Sequence, residues 1–412
     1  MELSRAGRCI ASYPALRWII LNIAAAYMKL IVILPRFPFP TEKGDKLRAF
    51  HQLKILSCHH EIFLFALSHQ PVSQAQREKV APHCSEMFVF RLNWFTTFLN
   101  LIRAIFKRWP LQVGYYFSGS VYRKIRNEIN RIQPDHIYCQ LLRTAPYAIN
   151  LHINKTLDYQ DVFSKGVERR IPQSGFFMKP LLRIEMKRLR AFEAYVFDHF
   201  NHKTIISVPD RDFIPHAGKD QIVVVPNGVD HTFFRPMKQP ITHDLVFTGN
   251  MGYPPNVNCA EYLVKQVLPL LRKSYPELTL MLAGATPHAR VKALAGEKVI
   301  VTGWVDDIRE CYAGARIFLA PMQIGTGLQN KLLEAMSMQL PCITSSLCNA
   351  ALKAIPGKDI LIGDTPEEVA AQVIRLLGDE MLQQSIAKSG LNFVHRNYSW
   401  QGATNQLLKL ID

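Results

Sequence analysis

Lys331 and Glu334 stand one helical turn apart in the run QIGTGLQNKLLEAMSMQLP, from Gln323 to Pro341. An apolar run before it, Arg316 to Pro321, reads as a buried parallel strand. Gly325 and Gly327 then make a tight turn with exposed backbone. From Gln329 the pattern is helical, with Leu332, Leu333 and Met336 on one face and Lys331 with Glu334 on another. A strand, a glycine turn and a helix start together present backbone N–H groups to a phosphate. The lysine adds a mobile positive charge. The glutamate offers two acceptor oxygens, suited to a vicinal diol such as ribose. The same residues also read as an ordinary βα unit whose Lys331 and Glu334 form a solvated ion pair.

The elements that must position these residues belong to a chain of 412 residues, enough for two domains. With 48% hydrophobic and 20% charged residues, the composition is globular, without a low-complexity tract. The eight cysteines show no CxxC pair and no regular spacing, which reads as reduced cytoplasmic thiols. The net charge of +16 is uneven. Residues 1–215 carry 31 Lys and Arg against 16 Asp and Glu, whereas residues 216–412 carry 18 against 17. Such asymmetry turns the first half toward something anionic. No nucleic-acid-binding motif is present, so the expected partner is an anionic membrane surface met by the basic N-terminal domain.

Residues 1–27 form an extension. Arg5, Arg8 and Arg17 precede the apolar run Trp18 to Met28, imitating a signal peptide. Met28 to Leu34 reads instead as a start codon and a first strand. An over-long start is therefore expected, with a short membrane anchor as the alternative.

From Leu30 strands and helices alternate, and Asp45 is a candidate N-cap for the first helix. Short apolar strands separated by helices predict parallel sheets covered on both faces. Trp94 to Trp109 places Trp94, Phe98, Leu101, Ile105 and Trp109 on one stripe, with Arg103, Lys107 and Arg108 beside it. That composition suits an interfacial membrane helix or a helix facing the core. Phe176 to Arg183 is a second candidate of the same kind. Prolines after Val225 predict a linker at 226–241, between an N-terminal domain (28–225) and a C-terminal domain (242–390). A last helix, within 391–412, is expected to cross back to the first domain. The fold class is α/β: two Rossmann-like domains with parallel sheets facing an interdomain cleft. Neither half has a clean GxGxxG followed by an acidic residue, which weakens a dinucleotide dehydrogenase.

The run VVPNGVDHTFFRP (Val224 to Pro236) resembles the linker motif of the family-four glycosyltransferases, the retaining group with the GT-B fold. TGWVDD (Thr302 to Asp307), LLEAM (Leu332 to Met336) and YSW (Tyr398 to Trp400) match that family in the same order. PRFPFPTEKGDKLR (Pro35 to Arg48), QLLRTAPY (Gln140 to Tyr147) and TGNMGYPPN (Thr248 to Asn256) look like its exosortase-associated exopolysaccharide branch.

The resemblance implies transfer of a sugar from a nucleoside diphosphate sugar to a lipid-linked glycan acceptor. The implied enzyme works without metal or other cofactor, at the inner face of the cytoplasmic membrane. It places Glu334 on the ribose and sets Gly325, Gly327 and Lys331 against the diphosphate. Val305 falls beside the base, and Gly44 lies in the loop nearing the donor phosphate from the first domain. Where the family puts a carboxylate on the donor sugar, this chain has Thr326. Where it has an arginine after the first strand-end glycine, Gly249, this chain has Asn250. Lys331, backbone N–H groups and Arg143 are then expected to supply the positive charge, and Gln140 or Arg143 stands near the family's first-domain histidine. Gln339 occupies a position where the family has a glycine in left-handed geometry. Asp158 and Asp161 lie over the acceptor side and read as structural or solvated. Alternatives are a nucleotide-sugar epimerase of the same architecture, a non-catalytic sugar-nucleotide-binding relative, and a membrane-surface module.

Overall fold

The structure, a computed structural model, describes residues 27–172, 174–324 and 327–412. The signal-like stretch up to residue 26 lies outside them. Seven parallel strands form the first sheet: β1 (Lys29–Leu34), β2 (Glu61–Ser68), β3 (Glu86–Arg91), β4 (His136–Gln140), β5 (Asn154–Asp158), β6 (His202–Ile205) and β7 (Val223–Val224). Their order is β3-β2-β1-β4-β5-β6-β7. Six further strands make the second sheet: β8 (His243–Thr248), β9 (Leu280–Ala283), β10 (Val299–Gly303), β11 (Ala315–Ala320), β12 (Cys342–Thr344) and β13 (Leu361–Ile362), in the order β10-β9-β8-β11-β12-β13. In both, the order reverses beside the first strand (β1 or β8), where an open α/β sheet leaves a crevice at its carboxyl edge.

The alternation within β1 shows why both faces are covered. Ile31 and Ile33 join one apolar cluster, while Leu30, Val32 and Leu34 join another on the opposite face. Helix α1 (Gly44–Leu56) packs on the second face through Ala49, Leu53 and Leu56. Four more first-domain helices matter below: α2 (Trp94–Phe106), α3 (Leu111–Tyr116), α4 (Phe163–Arg170) and α5 (Met178–Phe197). In the second half α6 (Pro254–Tyr262) follows β8 and α7 (Asn330–Ser337) follows β11. The last helix, α8 (Trp400–Ile411), puts Leu407, Leu408 and Ile411 into the cluster under α1, so the chain's end covers the first sheet. Val229 N–H donates to the Tyr398 carbonyl at 2.9 Å, and His51 of α1 stacks on Trp400 at 4.8 Å. The motifs around Val229 and Trp400 thus meet where the chain passes between the sheets.

One local detail differs from expectation. Helix α1 begins at Gly44 with Lys43 as its N-cap, so Asp45 lies in the first turn and holds Arg36 at 3.0 Å. The long helix after β8 widens into a π-helical stretch at Leu263–Val267. Gln339 does keep left-handed geometry, with φ of 58°.

Candidate functional site

The carboxyl ends of both sheets open on one cleft of about 1170 Å³. On the second-domain side its floor is two glycines. Gly249 ends β8 with φ of 148°, and a methyl group built there would lie 2.7 Å from Asn256 Nδ2 and 3.0 Å from Lys331 Nζ. Gly284 ends β9 with φ of 138°, and a methyl group there would collide with the Gly249 carbonyl. Only glycine lets these two strand ends approach each other and the lysine.

Lys331 comes off the first turn of α7 and donates to Asn256 Oδ1 at 2.6 Å. Its Nζ also lies 4.3 Å from the Phe247 ring centroid. Asn256 in turn donates through Nδ2 to the Asn250 carbonyl at 2.9 Å, and so ties the loop after β8 to α7. Burial lowers the Lys331 pKa to about 8, against the pull of Cys259, Cys348 and Glu334. Glu334, one turn on, accepts from the Tyr312 hydroxyl at 2.7 Å, and that hydroxyl is 2.7 Å from Thr248 Oγ1. Burial raises the Glu334 pKa, while Tyr312 and Lys331 oppose the rise. The lysine and the glutamate therefore have separate partners, and both line the cleft. The solvated ion pair that the spacing also allowed does not form.

Asn250 faces the cleft with its side chain committed: Oδ1 accepts from Gly252 N–H and Thr286 Oγ1, each at 2.9 Å. Val305 and the exposed Trp304 form part of the wall, and Gly327 lies at its edge. Gly325 and Thr326 fall outside the described residues.

From the first domain, Gly44 presents the α1 N-terminus to the cleft. Arg143 also lines it, held by Gln112 Oε1 at 3.1 Å and set between the rings of Tyr116 (5.0 Å) and Phe163 (4.7 Å). Burial lowers its pKa. Gln140 instead donates to the Asp45 carbonyl at 2.9 Å. Asp158 turns away from the cleft, fully buried in a two-pronged ion pair with Arg48 at 2.7 and 3.2 Å. Asp161 opens onto the cleft. A methyl group built on Gly327 would lie 3.6 Å from Asp161 Oδ1 and 3.9 Å from Asp210 Oδ2. The Asp161 side chain is exposed to the cleft, and partial desolvation by the cleft walls, with Asp210, Asp158 and Asp45 nearby, pushes its pKa up to about 7.

Sequence reasoning missed Asn256, Gly284 and Tyr312 as parts of this site. Asn256 lies in the TGNMGYPPN run and Gly284 follows a strand, so both left a signal. Nothing local marks Tyr312.

Residues 242–379 match the family described as glycosyl transferases group 1. A curated relative, an uncharacterized 44.6 kDa protein of the cps region of Klebsiella pneumoniae, is 21% identical over 92% of this chain and 99% of its own. Among solved structures, sucrose-phosphate synthase from Thermosynechococcus elongatus matches with a TM-score of 0.70 and 14% identity, covering 93% of this chain and 98% of that one. Anabaena HepE in complex with UDP and glucose matches with a TM-score of 0.65 and 14% identity, covering 93% and 99%. The fold is GT-B, and a glycosyl transferases group 1 domain occupies residues 242–379.

Proposed function

We propose that this protein transfers a glycosyl group, with retention, from a nucleoside diphosphate sugar to a lipid-linked glycan acceptor in cell-surface polysaccharide synthesis. One observation carries the reading. Lys331 and Glu334 leave α7 one turn apart, have separate partners, and open together on the cleft that Gly249 and Gly284 also line. The relative from a cps region and the UDP-bound HepE structure support the choice of donor and pathway.

In this mechanism Glu334 takes the ribose diol, oriented by Tyr312. The diphosphate lies against Lys331, the α7 N-terminus and, from the other domain, the α1 N-terminus at Gly44. As the glycosidic bond breaks, negative charge grows on the β-phosphate, and these preorganised groups stabilise it without requiring a metal ion. Arg143 adds positive charge from the first domain. Val305 and Trp304 flank the base. Asp161 supplies from the first domain the carboxylate that position 326 lacks, and meets a hydroxyl of the donor sugar. Closure of the domains excludes water and limits hydrolysis.

The test has two parts. A thermal-shift panel of UDP-, GDP- and ADP-sugars identifies the donor by a rise in Tm. Lys331→Ala and Glu334→Ala then each abolish transfer while melting like the parent protein. Wild-type transfer by both variants would overturn the site assignment. Conversion of the nucleotide sugar with no acceptor present would identify an epimerase instead.

A further inference from the structure

Helix α2 is turned inside out. The face it buries carries Thr97, Asn100 and Ala104, and Ala104 lies so close to Gly114 of α3 that a methyl group there would stand 2.7 Å from its Cβ. The face it leaves exposed carries Trp94, Phe95, Phe98, Ile102, Ile105 and Phe106, the last 83% exposed. A helix that served only to cover the core would place these faces the other way round.

A second apolar edge adjoins it. Arg188 of α5 donates to the Ile105 carbonyl at 3.0 Å, at the C-terminal end of α2. One and two turns before Arg188, on the same side of α5, come Ile184 and Leu181, and beyond them Phe177, 91% exposed. The two edges adjoin as one surface of the first domain. Its charge is one-sided. Between Glu86 and Glu128 the sequence has no Asp or Glu, and Arg103, Lys107, Arg108, Arg183 and Lys187 stand exposed around the apolar groups.

We propose that the α2 face and the α5 N-terminal edge are a docking surface for an anionic lipid bilayer. Aromatic and aliphatic side chains enter the interface while arginine and lysine meet the headgroups. Among the described residues no helix is long and apolar enough to cross a membrane, so this contact lies along the surface. The same part of the domain leads to the cleft. The carboxylate of Glu185 in α5 accepts from the N–H groups of Leu111 and Gln112, and Gln112 holds Arg143 in the cleft wall. Docking therefore sets the first-domain wall at the lipid surface, where a lipid-linked acceptor arrives. This last step rests on the proposed acceptor; the docking itself does not.

The experiment is co-sedimentation of the full-length chain with vesicles of phosphatidylcholine, with and without phosphatidylglycerol. Binding should require the anionic lipid and weaken with added salt. Phe98→Glu with Phe106→Glu, and separately Arg103→Glu with Lys107→Glu, should each weaken it about 10-fold or more. Melting and the response to nucleotide sugars should stay those of the parent, which separates this result from any failure of the transferase reading. Undiminished sedimentation of both variants would overturn the proposal, and so would equal binding to neutral vesicles. It also fails if the chain ignores vesicles and self-associates, with light scattering showing that the Phe98/Phe106 variant halves its mass.

Discussion

Asn227, in the segment between the two sheets, donates through Nδ2 to Oδ1 of Asn330 at 3.0 Å. Asn330 is the first residue of the helix that carries Lys331 and Glu334. The other end of the Asn227 amide accepts from Arg48 Nη1 at 3.1 Å, and Arg48 is locked to Asp158. A continuous polar chain thus runs from the core of the first domain to the start of α7.

Asn227→Ala removes both amide contacts and leaves a buried guanidinium N–H without that acceptor. We expect a loss of about 1–3 kcal/mol in stability and a higher KM for the donor, because α7 loses its tie to the first domain. An unchanged donor KM in steady-state kinetics would show that the tie does not position the helix.

Asp158→Ala breaks the buried ion pair itself. Tyr138 and Thr204 hydroxyls, each 2.8 Å from its carboxylate, lose this acceptor, as do Nε and Nη2 of Arg48, while Tyr138 keeps Gln52 Oε1 at 2.9 Å. Removing one partner of such a pair costs about 3–5 kcal/mol. Urea unfolding should show that drop in the midpoint; a change below about 1 kcal/mol would contradict the fully desolvated geometry.

The rate of transfer should be bell-shaped in pH. Asp161, raised to about 7, gains its carboxylate as pH rises through that value. Lys331, lowered to about 8, loses its charge as pH rises through that one. Transfer therefore falls below about 7 as the sugar-facing carboxylate is protonated, and above about 8 as the diphosphate loses a cation. Asp161→Asn should lower the rate and flatten the acid limb. If that limb persists in the variant, Asp161 is not the group that titrates.

Gln339→Gly should stabilise the protein by up to about 1 kcal/mol. A side chain at φ of 58° costs about 1–2 kcal/mol, partly offset by the extra freedom glycine gives the unfolded chain. Calorimetry should show a higher Tm; a lower one would mean that the Gln339 side chain makes compensating contacts.

Features that depend on neighbours along the chain are legible in the residues themselves. Alternating apolar strands and helices specified two parallel sheets, since a strand buried on both faces must be apolar throughout. The glycine turn before Lys331 and Glu334 marked the helix start that faces the cleft, because one turn of helix sets both side chains on one face. Features that depend on distant pairs emerge only when the chain is folded. Lys331 meets Asn256 across 75 residues, and Asp158 meets Arg48 across 110. The first contact separated the lysine from the glutamate; the second withdrew a carboxylate from the acceptor side, leaving Asp161 there. The stripe on Trp94 to Phe106 is the sharpest case. Periodicity establishes that a helix has an apolar face, but only packing decides which face is covered, and here the close approach of Ala104 and Gly114 turned the aromatic side outward.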